Sequence, residues 1–132
     1  MTIELRMLTL GVVLGIVQII AASHAASLQR GYWWTASARD EAPPPLRGVA
    51  GRLDRALRNY LETFPLFAAV VLVAHALGTH NALTVWGAQL YLWARVAYVA
   101  LYAAGVPVVR SLVWNVATIA ILLFVVALFL GT

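Results

Sequence analysis

The sequence predicts an all-α integral membrane protein whose four transmembrane helices form an up-down bundle. Three observations point to it. The chain has 132 residues, of which 63% are hydrophobic and only 11% charged, too apolar a balance for a soluble domain. Its apolar residues come in long runs, each close to the roughly 20 that a helix needs to cross the hydrocarbon core. The last two connections between runs are short, which forces neighbouring helices antiparallel.

The first span covers about 7–26 and is interrupted only by Gln18, Ser23 and His24. Gly11 and Gly15 lie four apart on one face, a small-residue pair that permits close helix contact. A cleaved signal peptide is the competing reading. Against it, the apolar stretch exceeds the usual 7–15 residues, and Arg6 at its start is opposed by Glu4.

Residues 27–54 form the one long polar connection, read as a cytoplasmic linker. It holds Arg30, Arg39, Arg47 and Arg52, and Pro43, Pro44 and Pro45 favour an extended path without regular helix. Tyr32, Trp33 and Trp34 follow the first span, where aromatic rings settle at a membrane interface.

The second span, about 55–77, has a polar mouth. Residues 63–78 carry no formal charge, too short a run to cross, so the helix must begin before Glu62. That draws Asn59, Glu62 and Arg58 into the headgroup or upper hydrocarbon layer. A charge costs about 2.5–3.5 kcal/mol at a helix centre and less near the interface, so such groups are expected to be paired. Glu62 is the one carboxylate expected inside the membrane boundary. Arg55, Asn59 and Glu62 follow i, i+4, i+7 spacing and share one side of the helix. Pro65 removes a backbone donor just beyond them and frees the Leu61 carbonyl, which favours a kink.

Residues 78–81 read as a tight turn. The third span, about 82–104, carries Tyr91, Arg95, Tyr98 and Tyr102 along one stripe. Gly105-Val106-Pro107 breaks it, Arg110 follows, and 111–130 is an uninterrupted fourth span. All nine basic residues are arginine, concentrated in the long linker, at the mouth of the second span and at Arg110. Positive residues stay on the cytoplasmic side, so both termini are expected to be non-cytoplasmic. The isoelectric point near 10.1 therefore reflects topology, and no nucleic-acid partner is expected.

By this topology the polar faces of the second and third spans and Arg110 converge at one depth. In one reading Glu62 neutralises Arg95 and the tyrosines anchor the interface. In the other, one carboxylate cannot compensate Arg55, Arg95 and Arg110 together, and the excess positive charge holds a small carboxylate-bearing ligand. The chain has no cysteine, so thiol chemistry needs a thiol from a substrate.

The pattern R-A-x-x-N-x-x-E-x-x-P, read here as Arg55, Ala56, Asn59, Glu62 and Pro65, resembles the signature of the MAPEG family, the membrane-associated proteins in eicosanoid and glutathione metabolism. The run of Arg95, Tyr98, Tyr102, Gly105, Pro107, Arg110, Ser111 and Trp114 is similar to the family's third-helix and turn pattern. The linker Arg39-Asp40-Glu41-Ala42-Pro43-Pro44-Pro45-Leu46-Arg47-Gly48 is similar to that of bacterial members. The resemblance implies a homotrimer similar to the microsomal glutathione transferases, placed in a bacterial inner membrane, with glutathione as co-substrate bound between subunits. It implies that Arg55, Asn59, Glu62, Arg95, Tyr98 and Tyr102 line the glutathione site, with Arg30 reaching it from the linker. Arg110 is implied as the thiolate-stabilising catalytic residue. Thr63 departs from the tyrosine of the leukotriene-forming branch, and the eight-residue gap from Tyr102 to Arg110 varies between branches.

The expected function is then a glutathione-dependent transferase or peroxidase acting on lipophilic small molecules that arrive from membrane lipid. The alternative is a non-catalytic binding or scaffold protein of the same fold. An ion pathway is disfavoured because the first and fourth spans offer almost no polar face. No metal and no haem are expected: His24 and His75 fall on opposite sides of the bilayer, and His75 and His80 are poorly spaced for joint ligation.

Overall fold

The computed structural model describes residues 1–131; Thr132 at the tail lies outside the described residues. The described residues form four long helices and one short one: α1 (Ile3–Arg30), α2 (Tyr32–Ala36), α3 (Gly48–Ala76), α4 (Ala82–Ala104) and α5 (Val108–Leu130).

Local chemistry explains the ends. Thr2 caps α1 by accepting the Leu5 N–H at 3.3 Å, Glu4 lies in its positive first turn and Arg30 in its last. Gly31, at φ +91°, ends α1 and starts α2. Asn81 and Thr84 form a reciprocal capping box at the start of α4. Gly105 at φ +78° closes α4, so that the Val106 N–H reaches the Leu101 carbonyl and the Gly105 N–H that of Tyr102, both at 3.0 Å.

The helices outrun the expected spans: α1 begins at Ile3 and α5 at Val108, and the larger differences flank the linker. The linker expected over 27–54 without regular helix is shorter, because α1 runs on to Arg30, α2 follows, and α3 begins at Gly48. Polarity marks where a membrane ends, but a helix stops only where its backbone is interrupted. Here the interruptions are Gly31 and the proline run 43–45. Past its polar mouth, α3 continues through Pro65.

The core lies where α3, α4 and α5 meet. Phe67 stacks on Tyr91, with ring centroids 4.0 Å apart, and meets Phe124 edge-on at 6.0 Å. Small residues bring the backbones close. A Cβ on Gly87 would stand 2.9 Å from the Ala120 carbonyl, so α4 and α5 touch there. The glycine pair of α1 receives α3: Gly11 faces Phe64 and Tyr60, Gly15 faces Tyr60, and the Tyr60 hydroxyl donates to the Gly11 carbonyl.

Contacts at the helix ends fix which ends lie together. Glu4 of α1 meets Thr84 of α4, and Gly131 after α5 approaches Thr79 in the α3–α4 turn. At the opposite end Gln29 exchanges two hydrogen bonds with the Arg47 backbone, and Arg52 donates to the Ala103 carbonyl. Three helices, α1, α3 and α5, are long and apolar enough to cross a membrane. The 23-residue α4 is as long as α5, but Gln89, Arg95 and the three tyrosines Tyr91, Tyr98 and Tyr102 make it more polar. Many exposed side chains on α1, α3 and α5 are Leu, Ile, Val or Phe, the surface of a protein that faces lipid or further protein.

Candidate functional site

The arginine-rich end is built from three helices. The side of α3 that faces α4 and the α4–α5 turn carries Arg52, Arg55 and Asn59, spaced so that they share one stripe. The last turns of α4 supply Tyr98 and Tyr102, and the turn 105–107 leads into α5 with Arg110, Ser111, Trp114 and Asn115.

Two open clefts result. The first, about 220 Å³, is lined by Arg52, Arg55, Tyr102, the turn 105–107 and Arg110. The second, about 180 Å³, is lined by Asn59, Tyr98, Arg110, Ser111, Trp114 and Asn115. Arg110 belongs to both. Tyr102 organises the first cleft: its hydroxyl accepts from Arg55 Nε at 3.1 Å, and the Arg110 guanidinium lies over its ring, 4.5 Å from the centroid. Arg52 donates through Nε to the Ala103 carbonyl at 3.0 Å, at the negative end of α4. Neither lining includes a carboxylate, so the first cleft gathers three cations with none of the opposite sign.

Arg95 is placed differently from the sequence expectation. It is 1% exposed and lines neither cleft. Its Nη1 donates to Asn59 Oδ1 at 2.8 Å, and its guanidinium lies 4.4 Å from the Tyr98 ring centroid and 5.4 Å from that of Tyr60. Nε and Nη2 have no hydrogen-bond partner among the described residues. The buried stripe Tyr91–Arg95–Tyr98 is thus part of the protein interior, with Asn59 as its link to the cleft.

Glu62 is exposed on α3 and forms no ion pair among the described residues, so the suggested neutralisation of Arg95 does not occur within one chain. The helix turns it away from Arg95, which meets Tyr60 and Asn59 instead. Arg30 lies outside both clefts. It donates to the Pro44 carbonyl at 3.2 Å, stacks over Trp34, and lines a third hollow with Gly51, Asp54, Arg55 and Arg58. Arg55 joins that hollow to the first cleft.

Sequence reasoning missed Arg52 and Asn115. Arg52 was legible as the residue three before Arg55 on the same helical face, but starting the span at Arg55 assigned it to the linker. Asn115 sits inside an otherwise apolar run and one turn beyond Ser111, a spacing that puts both on one face.

The opposite end carries a separate cluster. Glu4, 3% exposed, accepts from Thr84 Oγ1 at 2.6 Å, and His80 Nδ1 stands 3.4 Å from the same oxygen. The His75 and His80 rings lie 5.8 Å apart, while His24 contacts Tyr32 at the far end of α1.

Fold and site together define an integral membrane protein of apolar helices with a cationic, carboxylate-free cleft where three of its helices end. The chain belongs to the MAPEG family, whose model matches residues 7–130 and whose members include glutathione transferases and peroxidases. No curated protein matches it.

Proposed function

We propose that this protein is a glutathione-dependent transferase or peroxidase that acts on lipophilic electrophiles dissolved in the membrane. The single observation that carries the reading is the first cleft. Arg52, Arg55 and Arg110 line one cleft with no acid among them, Arg55 and Arg110 both against Tyr102, in a chain of a glutathione-using family. Glutathione brings two carboxylates, which guanidinium forks bind in bidentate fashion, and a thiol, which the cysteine-free chain lacks.

The two clefts divide the work. The carboxylates of the tripeptide sit among Arg52 and Arg55, with the Tyr102 hydroxyl beside them. Its sulfur lies toward Arg110, whose charge favours the thiolate. An apolar electrophile enters the second cleft beside Trp114, coming sideways from lipid. In the transferase reaction the thiolate forms a carbon–sulfur bond as the leaving group departs with its electron pair. In the peroxidase reaction the thiolate attacks a hydroperoxide oxygen and releases an alcohol; a second glutathione then gives the disulfide and water.

The reading includes an assembly. The protomer is a four-span up-down bundle, with α4 crossing despite its polar stripe, because its polar side chains face inward and its ends align with those of α3. Three copies form the trimer, which covers the exposed Glu62 and closes the open clefts. The chain resembles the bacterial branch and the microsomal glutathione transferases, lies in an inner membrane, and has both termini outside the cytoplasm.

Purified protein in mild detergent tests the reading. Retention on glutathione-agarose is expected, with turnover of 1-chloro-2,4-dinitrobenzene or cumene hydroperoxide, and Arg55→Ala is expected to abolish both. Binding without turnover of either probe leaves the scaffold reading; failure to bind glutathione overturns both ligand assignments.

A further inference from the structure

We infer that Arg95 is a positioning residue: it fixes the amide of Asn59 so that Nδ2 faces the second cleft as a donor, and it never touches the ligand itself. The inference rests on the glutathione reading of the site and deepens it.

An asparagine amide can present either its oxygen or its nitrogen to a pocket. Arginine has five N–H donors and no acceptor, so a guanidinium against an amide admits only the oxygen. The 2.8 Å contact from Arg95 Nη1 to Asn59 Oδ1 therefore determines the orientation. Asn59 Nδ2 has no partner among the described residues, and Asn59 lines the cleft shared by Tyr98 and Arg110. The free donor is thus held at the boundary between a thiol beside Arg110 and the rest of the ligand.

The placement of Arg95 shows that packing alone is a poor account of it. A guanidinium at 1% exposure is expensive unless paired, and no acid meets it among the described residues. It is held by the Tyr98 and Tyr60 rings, while Nε and Nη2 stay without partners. A leucine or methionine would fill the same interior at less cost. What they could not do is orient the amide and polarise its N–H groups toward a negatively charged group.

Glutathione affinity and thermal midpoint, measured on the detergent-solubilised protein, test this. Wild type must first bind glutathione in equilibrium dialysis; if it does not, the functional reading fails before the inference is reached. Asn59→Ala and Arg95→Met are each expected to weaken binding about tenfold, the loss of one charge-assisted hydrogen bond. The double variant is expected to bind no worse than Asn59→Ala, because both substitutions remove the same donor. Multiplied losses in the double variant, or unchanged affinity in Arg95→Met, overturn the inference. Should Arg95→Met fail to fold, Asn59→Asp decides. Its carboxylate pairs with Arg95 but offers no donor, so the thermal midpoint should rise while glutathione binding falls at least as far as in Asn59→Ala. Retained binding, or a lower midpoint, overturns the assignment.

Discussion

Thr84 Oγ1 donates to the Glu4 carboxylate at 2.6 Å, tying the first turn of α1 to the first turn of α4 across 80 residues of chain. The accepting oxygen, Glu4 Oε1, also has His80 Nδ1 at 3.4 Å. Glu4 is 3% exposed, whereas Glu62, the carboxylate expected inside the boundary from its depth, is exposed on α3.

The stability ranking of these two acids follows. Glu4→Ala removes the carboxylate that Thr84 and His80 meet, while the Thr84 hydroxyl keeps the Asn81 carbonyl at 2.9 Å, and is expected to cost about 0.5–1.5 kcal/mol. Glu62→Ala on an isolated protomer is expected to cost less than about 0.5 kcal/mol, as for a surface change. Thermal midpoints in one detergent check this. Equal midpoints would remove the Glu4 cluster as a tertiary tie, and a larger loss in Glu62→Ala under trimer-preserving conditions would show Glu62 buried between copies.

Gly11 is expected to tolerate no larger side chain. A Cβ there would meet Phe64 Cε2 at 2.8 Å and the Tyr60 hydroxyl at 3.3 Å. Gly11→Val should therefore push α1 off α3 and destabilise by about 1–3 kcal/mol. Val13→Ile, on the exposed side of α1, should be nearly silent. Adding Phe64→Leu to Gly11→Val should recover part of the loss. No recovery would place the strain elsewhere.

Arg52 supports the site as well as lining it. Its Nε caps the Ala103 carbonyl, and its side chain lies beside Gly105, where the φ of +78° makes the turn toward Arg110. Arg52→Ala is expected to lower both glutathione affinity and the protection of α4's last amides from hydrogen exchange. Arg47→Ala, at the start of α3 and outside the clefts, should leave the exchange of those amides unchanged. If exchange is unaltered in Arg52→Ala, its hydrogen bond to α4 does not hold that turn.

The helices are legible because long uncharged runs have few alternatives, and the turn glycines mark where they end. The site is less legible for a geometric reason. Spacing shows that Arg55, Asn59 and Glu62 share a broad side of α3, but not how wide a sector the cleft takes. Asn59 reaches it and Glu62 does not, although only three residues separate them. Arg95, Tyr98 and Tyr102 likewise share one stripe of α4. Depth along the helix divides them: Arg95 lies deep, under Tyr98, and Tyr102 lies at the opening between Arg55 and Arg110. Only the packing of α3 against α4 separates cleft-facing residues from those behind them.

Arg110 is expected to lower the thiol pKa of bound glutathione. Among the described residues it alone lines both clefts, which on the proposed reading puts its charge beside the sulfur. Its guanidinium is held 4.5 Å from the Tyr102 ring centroid and forms no ion pair among the described residues. The thiol starts near the cysteine reference of about 8.5. A guanidinium within a few ångströms in a partly dry cleft favours the charged form and should lower that value by about one to two units. Each unit is about 1.4 kcal/mol of thiolate stabilisation, so at neutral pH the thiolate fraction rises severalfold or more. The sign is fixed by the charge: removing the cation moves the titration up. Thiolate absorbance in the ultraviolet, followed against pH at saturating glutathione, should therefore titrate about one to two units higher in Arg110→Leu. The rising limb of the turnover profile should move with it. In Arg95→Met the affinity should fall instead, with the titration moved much less, because Arg95 acts on the ligand through Asn59. A titration unmoved in Arg110→Leu would pass the role to the hydroxyl of Tyr98 or Tyr102, which line the second and the first cleft.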